Sequence, residues 1–423
     1  MIRATALALC VLLPSSAGAE VLDAFDLSAT RTRIPVLRDL LETRPGVEFT
    51  PQIWRQDIRR LEDTRLFYEI DASTAALNGK LRARLRAKNK FSTIPILKFK
   101  RGGGASVVTA GIYDVNLFRR LLEGGIQYES FNGKPGFTAW FRHPYFPSRR
   151  DRAGIDATAH TVNLPLLSPK AHREADFEHE EVRLNLRYTR ELRSWASAGL
   201  DASIYRNVFR RDDSTAEKAA RNDTFAAATP LSSGRTVSLT PRLRLGRLKR
   251  DGIQLRGFET EAEGEWSWTG LGSQYEFIRG NLTLRGGAVP LPRLNIAAQM
   301  MAGSKTGSEF QHKFYLGGLD SVRGFIDGQF RGNHVWLANL ELRPTLLERP
   351  RWVVQGNLFT DWTKTWDSDR FGLEGFKHPF LSHGAGFRLI LPRVYRAVLR
   401  VDIAWTRRPV KRTGFSMGLQ QFF

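Results

Sequence analysis

The sequence predicts a mostly β protein in which a transmembrane antiparallel β-barrel follows one small α+β module. Two observations along the chain support this fold class. Helix patterns occur only near the start, and period-two alternation of apolar and polar residues recurs from about residue 95 onward. A third observation concerns length. After the N-terminal segment, no apolar run has the length that a membrane-spanning helix requires, whereas membrane-spanning strands need only about 9–11 residues each.

Residues 1–19 have the features of an export signal. An apolar segment from Ala4 to Leu13 follows one basic residue, and Ala17-Gly18-Ala19 fits the A-x-A cleavage rule, which predicts a cut before Glu20. The alternative is a buried apolar N-terminal helix. Cys10 is the only cysteine and lies inside this segment, after a leucine too bulky for a lipoprotein cleavage site. We therefore expect no lipid anchor, disulfide framework or thiol chemistry in the exported chain.

Residues 20–90 are predicted to form a small α+β module with the order strand, helix, helix, strand, strand. Pro45-Gly46 ends the first helix, and Thr50-Pro51 is a suitable start for the second. Asn78-Gly79 is the strongest short hairpin signal and separates the last two strands. The final strand carries an arginine row, which we interpret as a solvated face: Arg82, Arg84 and Arg86. This order of elements resembles a POTRA domain, the periplasmic module that precedes certain outer-membrane barrels.

We interpret residues 91–105 as a linker and the start of the barrel, and residues 106–423 as the barrel itself. Segments such as Val182–Thr189 alternate apolar with polar residues, which suits either a soluble sandwich or a membrane barrel. Arg183 and Arg187 on the polar row favour a barrel with a wet lumen, because a dry sandwich core could not hold unpaired charges. The available length allows about 14–18 strands.

Residues 315–325 form a glycine-rich motif that places a charge between apolar neighbours. Gly317, Gly318 and Gly324 permit turns that side chains forbid, and Arg323, between Val322 and Phe325, calls for a carboxylate. Three further segments follow along the chain: Leu358-Phe359-Thr360-Asp361; Gly384, Gly386 and Arg388; and a terminal row of Phe415, Met417, Leu419 and Phe423. This series resembles the BamA/TamA superfamily of outer-membrane assembly and secretion barrels, the bacterial surface antigen family.

The resemblance implies a 16-stranded barrel whose motif loop folds back into the lumen. It also implies that Arg323 pairs with Asp361, that Gly384, Gly386 and Arg388 belong to a second strand motif, and that the terminal row is an insertion signal. Two departures stand out. Thr363 replaces the glycine that the family usually has two residues after the aspartate, and only one POTRA-like module precedes the barrel.

Searching the sequence for catalytic and metal motifs yields no candidate. The densest cluster of histidines and carboxylates, His172 to Glu181, matches no known ligand spacing, and we interpret it as a solvated acidic turn. Neither a G-x-S-x-G elbow nor a phosphate-binding G-x-x-x-x-G-K-[ST] loop occurs. The sequence therefore predicts a protein that is not an enzyme and uses neither a metal nor a cofactor.

The predicted function is insertion of outer-membrane proteins or translocation of polypeptides across the bacterial outer membrane. The POTRA-like module, in the periplasm, would bind extended client polypeptides by β-augmentation. Two alternatives stay open: a passive pore whose basic lumen favours anions, and a structural outer-membrane protein. A monomeric barrel is expected in each case.

The formal net charge of +21 first suggests nucleic acid as a partner, because basic excess is the electrostatic footprint of phosphate binding. The arginines, however, recur on alternate positions of the predicted strands, including Arg242 and Arg244. We therefore expect no nucleic-acid partner, and expect contact with outer-membrane lipids and anionic lipopolysaccharide instead.

Overall fold

The structure, a computed structural model, describes residues 21–64, 66–229, 231–250, 254–307, 309–318, 321–391 and 398–419. The predicted export signal, residues 1–19, and the terminal Phe423 lie outside the described residues. Both remain predictions. Among the described residues, no helix combines the length and the apolarity needed to cross a membrane.

The N-terminal elements follow the order strand, helix, helix, strand, strand. They are β1 (Leu22–Ala29), α1 (Ile34–Leu40), α2 (Pro51–Asp63), β2 (Phe67–Leu77) and β3 (Lys80–Asn89). The sheet order is β1-β3-β2, with β1 parallel and β2 antiparallel to the central β3. Thr50 caps α2, its Oγ1 accepting from the backbone N–H of Ile53 at 3.3 Å. The arginine row lies on an exposed face, where Arg84 is 3.3 Å from Asp26.

The core of this N-terminal sheet comes from the opposite face of β3 and from the two helices. Leu81, Ala83 and Leu85 of β3 are buried in alternation with the exposed arginines. Leu37 of α1 and Leu61 of α2 belong to the same buried cluster. The α1–α2 connection is fixed by Asp57, which accepts from the backbone N–H of Glu42 at 3.0 Å and of Thr43 at 2.7 Å.

A closed barrel of 16 antiparallel strands, β4–β14 and β17–β21, makes up most of the rest. In chain order the strands are β4 (Thr93–Gly102), β5 (Ala105–Leu117), β6 (Leu122–Phe131), β7 (Lys134–His143), β8 (Asp151–Leu167), β9 (Arg173–Arg193), β10 (Ala196–Arg211), β11 (Gly234–Arg250), β12 (Leu255–Ser267), β13 (Phe277–Leu291), β14 (Leu294–Lys305), β15 (Phe314–Leu316), β16 (Phe330–Gly332), β17 (His334–Arg349), β18 (Trp352–Trp366), β19 (Phe380–Ile390), β20 (Val398–Arg408) and β21 (Arg412–Leu419). The strands β15 and β16 pair only with each other, inside the connection between β14 and β17. The mostly β fold and the sixteen barrel strands confirm the predicted fold class.

Alternation along the barrel strands separates an apolar outer face from a polar inner face. On β9, Leu184 and Leu186 are exposed, whereas Asn185 between them is buried. On β17, Asn339, Glu341 and Arg343 are buried on the opposite row to the exposed Leu340 and Leu342. Polar side chains therefore line the inner face of the wall, as the barrel interpretation predicts.

Two expectations for the region after residue 94 were wrong. A helix, α3 (Ala216–Ala228), lies in the connection between β10 and β11, where no amphipathic helix was expected. Its apolar residues are mostly alanines, so it has no stripe of large side chains to reveal it, although Thr215 caps it by accepting from the N–H of Lys218. The acidic cluster His172 to Glu181 is not a solvated turn either, since β9 runs through most of it and Asp176 is buried.

Candidate functional site in the barrel lumen

The long connection between β14 and β17 carries the glycine-rich motif back into the barrel. Its Arg323 contacts Glu341, the eighth residue of β17, which begins at His334. At roughly 3.3 Å per strand residue, Glu341 lies about 23 Å from the loop end of β17. We call residues 314–332 the motif loop, and its central residues lie inside the lumen near the middle of the wall.

Arg323 is held by a two-pronged contact with Asp361 on β18. Its Nη2 donates to Asp361 Oδ1 at 2.5 Å and its Nε donates to Oδ2 at 2.8 Å, while its backbone N–H also reaches Oδ2 at 3.1 Å. The side chain of Arg323 is 3% exposed and that of Asp361 is fully buried. A bidentate, charge-assisted contact in a desolvated lumen fixes both the position and the orientation of the motif loop.

Two further carboxylates surround the same guanidinium, and the sequence had not identified either as a partner. Arg323 Nη1 donates to Glu341 Oε1 at 2.5 Å and lies 4.0 Å from Asp402 Oδ2 on β20. Asn339 supports the arrangement, since its Nδ2 donates to Asp361 Oδ1 and to the backbone carbonyl of Ser321. The signal for Glu341 and Asn339 was present in the sequence, because both fall on the polar row of a strongly alternating strand.

The other motif residues shape the loop. Gly317, Gly318 and Gly324 adopt positive φ values of 129°, 75° and 86°, which favour glycine. At Gly324 an added Cβ would lie 2.9 Å from the Thr406 side chain. Val322 and Phe325 are fully buried and belong to an apolar cluster with Phe330, Val335, Leu337 and Phe380. The apolar part of the motif thus packs the loop against the wall while Arg323 fixes its register.

The second strand motif makes room for the neighbours of Arg323. The Arg323 guanidinium carbon lies 3.6 Å from the ring centroid of Phe359, a cation–π contact. A Cβ on Gly384 would collide with that ring, and one on Gly386 would collide with the Asp402 carboxylate. The structure therefore brings Arg323, Asp361, Gly384 and Gly386 into one site, although they are distant in sequence.

Arg388, the third member of the second strand motif, is buried without a carboxylate contact of its own. Its Nη1 donates to Gln355 Oε1 at 3.1 Å, and its Nε and Nη2 have no hydrogen-bond partner among the described residues. Its cross-strand neighbour Arg400 differs, because it donates to Asp402 at 2.5 Å and to Glu341 at 2.7 Å. Together with Arg343, which donates to Glu341, three of the four buried arginines contact the three buried carboxylates, and Arg388 does not.

The two departures from the family pattern have different outcomes. Thr363 is fully buried, continues the register of β18 opposite Leu337, and donates from Oγ1 to the backbone carbonyl of Trp336 at 2.7 Å. The strand therefore accommodates the threonine without a shift in pairing at this position. Among the described residues, a module with the element order of a POTRA domain precedes the barrel, and its assignment to that family stays a prediction.

The terminal row lies on the last barrel strand. Phe415 of β21 is 53% exposed, Met417 and Leu419 are half-buried, and Ser416 and Gly418 between them are buried. Phe423 is beyond the described residues. The role of this row as an insertion signal stays a prediction.

The barrel closes where β21 meets β4, and the described pairing there is short. It consists of Ser416 with Gly102, Met417 with Arg101, and Gly418 with Lys100. We call this contact the seam.

The motif loop touches both sides of the seam. On the β4 side, the backbone N–H of Asp327 donates to the carbonyl of Gly103 at 2.8 Å. On the β21 side, Gly414 faces Gly324 so closely that an added Cβ would lie 2.6 Å from the Gly324 Cα.

The described residues contain no group of three or more His, Cys, Asp or Glu side chains arranged to hold a metal ion. In the acidic cluster the carboxylates contact basic side chains instead. Examples are Asp176 with Arg221 at 3.0 Å and Glu181 with Arg183 at 2.9 Å. These acids therefore form ion pairs within the barrel wall.

Solved structures of other proteins share this fold. BamA from Haemophilus ducreyi, in a form lacking POTRA domains 1–3, matches with a TM-score of 0.68 and 14% identity, over 95% of this chain and 85% of that one. CdiB from Acinetobacter baumannii matches with a TM-score of 0.65 and 14% identity, covering 95% of this chain and 74% of that one. CdiB from Escherichia coli gives 0.67 and 13%, covering 95% and 76%.

A search of curated proteins finds no significant sequence match. The comparison with protein families, in contrast, does give a match. The model of the Omp85 superfamily domain matches residues 125–423, which include the whole motif loop and the strands that hold it. The chain belongs to the Omp85 superfamily.

Proposed function

We propose that this protein assists the insertion of outer-membrane proteins, or the translocation of polypeptides, at the bacterial outer membrane. The observation that carries the proposal is the motif loop, which is fixed inside the lumen by Arg323 and contacts residues on both sides of the seam. Membership of the Omp85 superfamily supports it at the level of the family.

The lengths of the connections favour one orientation in the membrane. Transmembrane barrels have short periplasmic turns and longer extracellular loops. The longest connections, 212–233, 306–333 and 367–379, lie at the motif-loop end, whereas the other end includes the short turns 194–195, 292–293 and 350–351. The motif-loop end would therefore be extracellular, and the N-terminal module would lie in the periplasm.

The N-terminal module offers an edge for client binding. Because the sheet order is β1-β3-β2, β2 is an edge strand. Its outer backbone groups can pair with an extended polypeptide, and main-chain hydrogen bonds would make that pairing tolerant of client sequence. The proposed domain limits are 20–90 for the module and 106–423 for the barrel. Residues 91–105 are the linker and the start of the barrel.

Among the barrel strand pairs whose register is described, the seam is the shortest, so opening it breaks the fewest described ladder bonds. A client strand would then pair with the exposed edge of β4 or β21. The motif loop resists this opening because it contacts Gly103 on one side and Gly414 on the other. Its displacement is therefore the step that we expect to control access to the seam.

A reversible disulfide across the seam tests the proposal. The variant Arg101→Cys with Met417→Cys joins directly opposed residues. Opposed residues in an antiparallel pair have Cα atoms about 4.5 or 5.5 Å apart, which a disulfide can span. The matched control joins Leu284→Cys to Met300→Cys, which are opposed and exposed on the well-paired β13–β14 hairpin.

The assay measures the insertion of a urea-denatured eight-stranded outer-membrane barrel into liposomes that contain the full chain. We expect the wild-type chain to accelerate this insertion relative to empty liposomes. The oxidised seam variant should lose that acceleration and regain it on reduction, while the control variant keeps it in both states. Equal insertion by the oxidised seam variant and the control would overturn the proposed route. Large, steady, anion-selective conductance in planar bilayers, without any acceleration of insertion, would favour the passive pore.

A further inference from the structure

A basic pocket lies at the motif-loop rim of the barrel wall. It is an open pocket of about 810 Å³ at the motif-loop end of β19, β20 and β21. The residues of its lining used here are His383, Trp405, Arg407, Arg408, Lys411 and Arg412. Trp405 and His383 of the lining face outward, since Trp405 is 43% exposed between the buried Ala404 and Thr406 and is paired with His383. Thr406 also lines the pocket and faces the lumen, so the pocket spans the rim of the wall.

The pocket concentrates positive charge without a matching acid. Four of its lining side chains are cationic, and none of the lining side chains is acidic. None of the four forms an ion pair with an acid among the described residues. The lumen differs, because Arg323 and Arg400 there contact buried carboxylates directly. Four like charges close together repel one another, so an anion in the pocket would be favoured.

Below the pocket, the outer wall becomes apolar. Ile403 and Phe415 are opposed on β20 and β21, and Phe387 lies on the neighbouring β19; all three are exposed. Going along the wall towards the motif-loop end, Trp405 lies above this apolar band, and the cations lie above Trp405, around the β20–β21 turn. An aromatic side chain between an apolar band and polar groups is typical of a membrane interface. The surface thus suits a ligand with acyl chains below and phosphates above.

We propose that this pocket binds the phosphate groups of an outer-leaflet glycolipid, a phosphorylated saccharide that carries acyl chains. The inference rests on the orientation given under the proposed function, which places this end of the barrel at the outer leaflet. A bound glycolipid would lie on the outer face of β19 and β20, close to the seam. Its acyl chains would pack on the apolar band while the exposed Arg407 and Arg408 contact phosphate oxygens.

Binding of bis-phosphorylated lipid A to the full chain in detergent micelles tests the proposal, with bound lipid counted by native mass spectrometry. The variant Arg407→Gln with Arg408→Gln removes two of the pocket charges. The control variant Arg349→Gln with Arg351→Gln removes two exposed charges at the opposite end of the barrel. Each basic residue near an anionic lipid surface changes binding about fivefold, so we expect about 25-fold weaker binding for the pocket variant only.

Competition identifies the ligand class. Dephosphorylated lipid A and inorganic phosphate should displace little bound lipid, because each lacks one half of the ligand, and phosphatidylglycerol should compete weakly. Equal displacement by inorganic phosphate or phosphatidylglycerol would overturn the glycolipid assignment, and unchanged binding by the pocket variant would overturn the site. Wild-type binding should also weaken with salt, which tests the charge argument without any substitution. The seam disulfide assay is independent of this pocket, so failure here leaves the proposed function standing.

Discussion

Replacing Gly103 by alanine should release the motif loop from the β4 side of the seam. Gly103 lies in the turn between β4 and β5 with φ +58°, and an added Cβ would lie 2.6 Å from the carbonyl oxygen of Phe325 and 2.9 Å from the Cα of Gly318. Both are backbone atoms of the motif loop, so a rotamer change cannot relieve the collision. Either the turn or the loop must move.

The adjacent Gly104 provides a matched control. It also has a positive φ, +79°, but an added Cβ would meet only the Ile326 side chain at 3.8 Å, an ordinary contact. Alanine at either position adds roughly 1–2 kcal/mol of backbone strain. Gly103→Ala adds an overpacking cost of about 1–3 kcal/mol, which Gly104→Ala does not. The difference between the variants therefore isolates the contact with the loop.

Labelling of one buried cysteine measures the opening of the loop. Val322→Cys, in a Cys10→Ser background, places a thiol in the fully buried part of the motif. In the regime where labelling follows the open population, 1–3 kcal/mol corresponds to about 5- to 150-fold faster labelling in Gly103→Ala than in Gly104→Ala. Labelling rates that agree within twofold would refute the claim that this turn holds the loop.

Three further predictions concern charged groups. Arg323→Ala should lower the free energy of unfolding in urea by about 3–5 kcal/mol. Arg323→Lys should recover only part of that loss, because lysine cannot form the bidentate contact with Asp361. Full recovery of stability by the lysine variant would show that charge alone suffices. Arg400→Met should lower the free energy of unfolding by about 3–5 kcal/mol, and Arg388→Met, at the neighbouring position, by about 1 kcal/mol or less. Equal losses of stability in the two variants would contradict the contacts described. Burial lowers the pKa of His312 from 6.5 to about 3, so stability should fall as pH drops from about 6.5 towards 3, by about 2–3 kcal/mol at pH 4.5. His312→Gln should remove that dependence in urea unfolding at pH 7.5 and 4.5, and an unchanged dependence would assign it to other groups.

Local patterns were sufficient to predict much of the fold. Each barrel strand shows its lipid-facing and lumen-facing rows in its own residues, because side chains alternate across a strand with period two. Thr50-Pro51 and Asn78-Gly79 likewise mark a helix start and a hairpin through local backbone preferences. The helix α3 was missed for the same reason, since its alanines give no large apolar stripe, and its place beside β9 is a tertiary contact.

The motif loop shows where local patterns stop being sufficient. Its glycines and the isolated Arg323 indicated a special turn that needs a carboxylate, and the family resemblance named Asp361. Nothing local indicated that Glu341 and Asp402 reach the same guanidinium, or that Gly384 leaves room for the Phe359 ring. These contacts join four strands and one loop that are far apart in sequence.

The sequence by itself determined the alternating strands, the motif and the excess of positive charge, since all three depend on residue type and spacing. Only the tertiary structure decided how that charge is distributed. Barrel closure buries four arginines of the lumen around three carboxylates, and the same closure leaves the four cations at the β20–β21 end exposed. Burial and charge pairing depend on distances between strands, and those distances are fixed only when the sheet closes on itself.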